Sequence, residues 1–466
     1  LETTIFFLDK RTQISIDLIA MLKESNPDAG LVVIDVSHFH HPLQPAWRLN
    51  GPIESHPDTL RELFSAFGVN YLHADSIEVN PVEFNFIESQ KLEIAINSSI
   101  ITSYRRGIKA NKRQSQVESA LRKRMERQAK TVFSTALEIM SQITEGTVFI
   151  ENGRHYAQHA IYLASKRLGR KVKFYEANLP SRSAYIEDYR VHDRLEVQKH
   201  ALVMTSDIDH LSLQSGAEQI MQETVRANPF SSRWSKSDMP LEIRDKSIAL
   251  FASSSTEEME SLDLNWNESE WDTQYEAFEA IWNKLRTPSI SPVLRIHPNL
   301  LNKDPLVAHR EIREVKRFMK RNPEFLVVWP KSTISTDKLL DQTELLVISN
   351  STVGLAAAAQ GIPVICSNST NYDLIVGVIR IHKPEDLSQL EGKLAKTSPV
   401  DAWKFWYYLG TRDKHIPENR LGLKLEDVHA IKKAARSLQD GSLWSHIFEL
   451  RWPLFRLIMV LTSPSK

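Results

Sequence analysis

One cysteine, Cys366, stands among 466 residues, so no disulfide can form within the chain and the composition fits a reducing compartment. Net charge is equally lacking. The 58 Lys and Arg balance 58 Asp and Glu, which removes any bulk electrostatic case for nucleic-acid binding. No apolar stretch reaches about 18 residues, so a membrane-spanning helix is not expected. The first residues, Leu1-Glu2-Thr3-Thr4-Ile5, carry neither an initiator methionine nor a signal-peptide pattern, as expected of a trimmed terminus. What is present is 42% hydrophobic and 25% charged, a soluble globular balance in a chain too long for one core.

Apolar runs alternate with helical patterns. Thr4 to Leu8, Gly30 to Asp35, Asn70 to His73, Thr147 to Ile150 and Lys171 to Tyr175 read as strands. Helical patterns over Ile14 to Lys23, Asp58 to Phe67 and Tyr156 to Leu168 separate several of them. Strands spaced by helices of this length imply βαβ units and a mainly parallel sheet. After a polar stretch near Asn228 to Met239 the alternation restarts. Ser247 to Phe251, Val293 to Ile296, Phe325 to Val328, Leu345 to Ile348 and Pro363 to Cys366 give at least five strands. The expected fold is α/β: two Rossmann-type, doubly wound domains facing a cleft, over 1–235 and 236–400. A helical segment over 401–466, containing Trp403 to Leu409, is expected to cross back and brace the first domain.

Two stretches depart from this plan. Tyr104 to Lys130 holds ten Lys and Arg against two Glu and reads as a basic helical insertion. It is either a solvated helix face or a surface for an anionic acceptor or membrane. Ile447 to Leu461 is apolar with two arginines, too short to span a bilayer, and suits core packing or a peripheral membrane contact.

In the second half, polar groups cluster where strands end. "VLRIHPN" stops a buried strand at Arg295, His297 and a proline, which cannot continue a paired strand. Ser253-Ser254-Ser255-Thr256 follows one strand, and Ser349-Asn350-Ser351-Thr352 follows another just before a helix. Ser351 or Thr352 can cap that helix, or leave its N–H groups to an anion. In a parallel sheet all these ends lie on one edge, where α/β proteins hold ligands. An arginine, an imidazole and hydroxyls together there suit a nucleotide phosphate that leaves with negative charge.

The segment Arg295 to Ile365 resembles the donor half of capsule-type bacterial glycosyltransferases of the GT-B fold. Relatives are capsular Kdo transferases, sialyl- and polysialyltransferases and, more distantly, teichoic-acid glycerophosphotransferases. The resemblance implies that His297, Ser351 and Thr352 meet the nucleotide phosphate, and it matches Ser335 and Thr336 more loosely. Val148 to Pro180 is similar to the Asn-Gly-Arg and following Glu segments of the same family, here Asn152-Gly153-Arg154 and Glu176. Where relatives carry a ribose-binding Glu, this chain has Ala356.

The reading that follows is a metal-independent, inverting glycosyltransferase of the cytoplasm or the inner membrane face. Its donor would be a nucleotide-sugar, CMP-linked by preference, with UDP and GDP open. Its acceptor would be a surface polysaccharide or lipid-linked glycan, met by Asn152 and Arg154. Asp35, Glu151 and Glu176 are the candidate bases. Glu176 is favoured, because burial at a strand end would raise its proton affinity. His38 to His41 bring three imidazoles onto one loop, which rarely bind a metal without a distant fourth ligand, so an acceptor contact or a plain polar loop is expected. The alternatives are a CDP-polyol phosphotransferase of teichoic-acid type and an inactive glycan-binding relative.

Overall fold

A computed structural model describes residues 3–8, 13–37, 57–104, 112–143, 145–178, 183–227, 243, 246–255, 262, 266, 268–298, 300, 305–332, 334–394, 398–412 and 414–415. The first half contains strands β1 (Thr3–Leu8), β2 (Leu31–Asp35), β3 (Asn70–His73), β4 (Gly146–Glu151), β5 (Lys171–Asn178) and β6 (Ser183–Glu187). Its helices are α1 (Gln13–Ser25), α2 (Pro57–Ala66), α3 (Phe86–Tyr104), α4 (Lys112–Gln142) and α5 (Tyr156–Arg167). After β6 come α6 (Arg194–Met204) and α7 (His210–Ala227).

The second half contains β7 (Ile248–Ala252), β8 (Ser291–Arg295), β9 (Leu326–Val328), β10 (Thr343–Ile348), β11 (Val364–Cys366) and β12 (Val378–Arg380). Its helices are α8 (Gln274–Leu285), α9 (Pro305–Arg321), α10 (Thr336–Leu340), α11 (Val353–Ala359) and α12 (Leu390–Leu394). The chain then forms α13 (Val400–Thr411) and β13 (Lys414–His415).

The central strands β1, β2, β4, β7, β8 and β10 are covered on both faces, which is why they are mostly apolar rather than alternating with polar residues. Along β1, Ile5 and Phe7 point to α4 and α5, whereas Phe6 and Leu8 point to α1 and α2. In the second sheet Leu250 and Ile348 face α11 and α13, while Phe251 and Val347 face α8 and α9. The strand orders are β3-β2-β1-β4-β5-β6-β13 and β9-β8-β7-β10-β11-β12. The chain is therefore two doubly wound, Rossmann-like α/β domains, as expected. In each the order reverses once, between β1 and β4 and between β7 and β10. Such a reversal opens a crevice at the carboxyl ends of the strands.

Four features add to the sequence reading or modify it. First, α6 and α7 precede residue 235, yet Val197, Ala201 and Ala217 join the second core beside Ile348, Leu355 and Phe405. A helix pattern states that one face is apolar, not which sheet it covers. Second, β6 runs antiparallel to β5, and β13 pairs antiparallel with β6. Third, β12 adds a sixth strand to the five or more expected in the second sheet. Fourth, the basic stretch also carries an apolar face. Leu121, Met125, Ala129, Val132, Phe133 and Ala136 give α4 a buried stripe at helical spacing, which its charges obscure in composition.

Among the described residues no helix is long and apolar enough to cross a membrane. Residues 105–111 and Ile447 to Leu461 lie outside the described residues.

Candidate active site

At the second switch point the loops after β7, β8 and β10 are tied to one another. The Ser253 N–H donates to the Arg295 carbonyl at 2.9 Å, and the His297 N–H donates to Ser253 Oγ at 2.9 Å. The Asn350 N–H donates to Ser254 Oγ at 2.9 Å, and the Ser254 hydroxyl returns a bond to the Asn350 carbonyl. Asn350 Nδ2 then reaches the Ser369 carbonyl at 2.8 Å. Four segments remote in sequence thus share one rim. Ser253 and Ser254 build that rim with their hydroxyls, whereas the buried Ser255 Oγ has no hydrogen-bond partner.

Thr352 is the N-cap residue of α11 but makes no side-chain cap bond, and its side chain is exposed. Ser351 Oγ comes only within 3.5 Å of the Val353 N–H. The capping role open to these hydroxyls is therefore hardly used. His297 is half-buried on the same rim.

Two of the donor-side residues already have partners within the protein. Arg295 is only 2% exposed, and its guanidinium donates to the Trp329 carbonyl at 2.9 Å. As the last residue of β8 it turns inward and ties that strand to the loop after β9. Burial lowers its pKa to about 10, so it stays cationic at neutral pH. Ser335 is occupied as well, because its hydroxyl accepts the Lys338 N–H at 3.1 Å and caps α10. Thr336 is the half-buried first residue of that short helix. Ala356 is a half-buried apolar contact of the second core.

The first switch point is built by Asn152-Gly153-Arg154. Asn152 (φ 54°) and Gly153 (φ 80°) are left-handed, a region that asparagine tolerates and glycine enters freely. A Cβ on Gly153 would lie 2.5 Å from Phe174 Cε1, so this turn requires glycine for space as well. The following α5 does not offer its N-terminus to a ligand. Ser99 Oγ accepts the Tyr156 N–H at 3.0 Å and Gln158 Oε1 accepts the His155 N–H at 3.3 Å.

Beside this turn lies a chain of polar side chains. Asn152 Nδ2 is 3.0 Å from His192 Nε2, His192 Nε2 is 3.9 Å from Glu176 Oε2, and the Tyr185 hydroxyl donates to Glu176 Oε2 at 2.8 Å. Glu176 is neither buried nor at a strand end. It pairs with Tyr185 inside the β5–β6 hairpin and its side chain is 36% exposed. The expectation assumed that β5 stops at Tyr175, whereas the unforeseen β6 extends it. Burial lowers the His192 pKa to about 4, with the Arg154 guanidinium adding to the effect and Glu176 opposing it. Arg154 is half-buried. Asp35 is fully buried and held by the hydroxyls of Tyr71 at 2.5 Å and Ser37 at 2.7 Å. Glu151 is buried at the end of β4.

The two halves meet next to His192. Trp266 Nε1, from the loop after β7, donates to the His192 carbonyl at 2.7 Å. Two residues on, Arg194 places one nitrogen 2.8 and 2.7 Å from the two Asp373 oxygens and another 3.0 Å from Glu268 Oε1. Sequence reasoning missed His192, Trp266 and Asp373, which sit in connections without periodicity, and Arg194, the first residue of α6. Among the described residues no three His, Cys, Asp or Glu side chains converge on a metal position, and His38 to His41 lie outside them.

No family profile matches the chain, and no curated protein does. Solved structures do overlay on it. KpsC, a beta Kdo 2,7 transferase of Thermosulfurimonas dismutans, is 11% identical over 59% of this chain and 79% of its own, with a TM-score of 0.35. A UDP-GlcNAc 2-epimerase of Methanocaldococcus jannaschii, in complex with UDP-GlcNAc and UDP, is 12% identical over 88% and 98%, with a TM-score of 0.33. MnaA of S. aureus with UDP is 10% identical over 87% and 91%, at 0.29. At such scores the overlays carry no weight, and the fold rests on the strand orders above.

Proposed function

We propose that this protein is a nucleotide-sugar-dependent glycosyltransferase that acts on a surface polysaccharide or lipid-linked glycan at the inner face of the membrane. One observation carries the reading. The loops after β7, β8 and β10 are hydrogen-bonded into a single rim at a topological switch point, with His297, Ser351 and Thr352 on it and Ser255 Oγ buried without a partner. Hydroxyls and an imidazole so gathered can receive the phosphate of a departing nucleotide and stabilise its charge as it develops. Ser253 and Ser254 hold the rim in shape, and Arg295 supports it from inside.

Across the cleft the acceptor would lie against Asn152 and Arg154, and its proton would pass to the cluster around Glu176. Closure of the halves would exclude water and so spare the donor from hydrolysis. The chemistry assigned to these residues requires no metal, and the transfer would invert the sugar. CMP-linked donors are favoured, with UDP and GDP to be compared directly.

Thermal unfolding with CMP, CDP, UDP and GDP tests this. A nucleotide at about 100 times its Kd stabilises the native state by roughly 2.7 kcal/mol and raises Tm by a few degrees. His297→Ala is expected to keep the unliganded Tm while reducing transfer by about 10²–10³-fold. If none of the four nucleotides moves Tm, the donor site is wrong.

A further inference from the structure

The histidine that joins the two halves has the surroundings of a base rather than of a structural side chain. We propose that His192 takes the proton from the attacking acceptor hydroxyl, held in its Nε2–H tautomer by Asn152 and Glu176. The proposal rests on the transferase reading above. It assigns Glu176, the expected base, to a positioning role together with Asn152.

The argument begins with what His192 Nε2 faces: the Asn152 amide at 3.0 Å and the Glu176 carboxylate at 3.9 Å. A carboxylate only accepts. The two ends of an amide differ by assignment rather than by shape. As assigned, Asn152 aims its NH₂ at the imidazole and leaves Oδ1 buried without a partner. Turning the amide over gives Oδ1 the imidazole proton as its partner. Both neighbours of Nε2 are then acceptors, so the proton belongs on Nε2 and the lone pair on Nδ1. A histidine fixed in one tautomer by an acceptor behind it is how an imidazole is held ready as a base. The Glu176 contact is longer than a hydrogen bond, as base–orienter contacts often are before substrate binds.

Position supports the same role. His192 is 32% exposed, and its carbonyl is bound by Trp266 from the second domain. The residue therefore sits where the first half touches the second. The groups acting on it are Arg154 from the turn after β4, Arg190 from its own connection, Arg412 after α13 and Glu176 from β5. With burial, the three guanidinium groups hold its pKa near 4, which keeps the ring neutral at pH 7 but makes it a weak base. An arriving nucleotide-sugar brings negative charge that offsets those cations and raises the proton affinity of the ring when it is needed.

The step balances. The acceptor O–H proton goes to Nδ1, and the oxygen pair forms the new bond to the anomeric carbon. The bond from that carbon to the phosphate oxygen breaks, and the nucleotide leaves with its electron pair. The imidazolium that forms is stabilised by Glu176.

The test uses full-length protein labelled with ¹⁵N-histidine, with the His192 signals assigned from the His192→Gln variant. At pH 7 the expected signals are a protonated Nε2 and a bare Nδ1. Saturation with whichever nucleotide raises Tm should increase the proton affinity of the ring by about tenfold or more. A protonated Nδ1, or an unchanged titration with nucleotide bound, overturns the proposal. Failure of every nucleotide to bind instead removes the donor reading, while the tautomer measured in the free protein still decides the role of Nδ1.

A second arm follows hydrolysis of CMP-, UDP- and GDP-sugars, with water standing in for the acceptor. His192→Ala should lose about 10²–10⁴-fold, with free imidazole restoring about tenfold. Activity within about threefold of wild type, or a loss that imidazole does not restore, refutes the assignment.

Discussion

Three consecutive serines show how little a residue's type says about its task. Ser253 accepts the His297 N–H, Ser254 both donates to and accepts from Asn350, and Ser255 has no partner. Ser254→Ala would leave the Asn350 N–H and carbonyl unmatched at a part-buried place, at a cost of about 1–3 kcal/mol by urea denaturation. Ser255→Ala should leave stability within about 0.5 kcal/mol and weaken the thermal response to nucleotide. The rim itself was legible, because a strand followed by small polar residues locates a carboxyl edge. Which side chains face outward was not. Arg295 and Ser335 have the same composition as ligand-binding residues, yet serve a carbonyl and a helix end. Glu176 was misjudged because its hairpin partner gives no signal separable from a loop.

Helices at the junction of the halves show the same limits. The contact between α7 and α13 is made close by two glycines. A Cβ on Gly216 would lie 2.6 Å from Tyr407 Cδ2, and one on Gly410 would overlap the Ile220 side chain. Gly410→Val should therefore separate the pair and cost about 1–3 kcal/mol, read as a lower urea midpoint at unchanged slope. In α5, the buried His159 has its Nδ1 3.2 Å from the Gly153 carbonyl. Burial lowers its pKa from 6.5 to about 4, with Arg190 adding to the effect. The unfolded chain thus binds a proton first. Stability is lost as pH falls from about 6.5 towards 4, by roughly 2 kcal/mol between pH 7 and 5. His159→Gln should flatten that slope in denaturation curves taken at the two pH values.

For the whole molecule, the repeated strand–helix alternation was enough to foresee two doubly wound domains. It could not foresee that α6 and α7 cover the second sheet, since packing partners are chosen by shape and distance rather than by local pattern. Their attachment is pinned by Arg194 and Asp373, both buried, with Gln198 Nε2 also donating to Asp373 at 3.1 Å. Removing the Asp373 charge leaves the buried Arg194 only the partly exposed Glu268 as a counter-charge. Asp373→Asn is expected to cost about 3–5 kcal/mol in chemical denaturation, far more than an exposed ion pair such as Arg317–Glu314 would.

The two-residue pairing of Lys414 and His415 with β6 has an implication for biosynthesis. Translation delivers that closing piece only after the entire second domain has left the ribosome. Until then Ser183 and Ala184 of β6 lack this pairing strand, and an unpaired sheet margin is the kind of surface on which neighbouring chains stack. A stop codon in place of Arg412 would make that waiting state permanent.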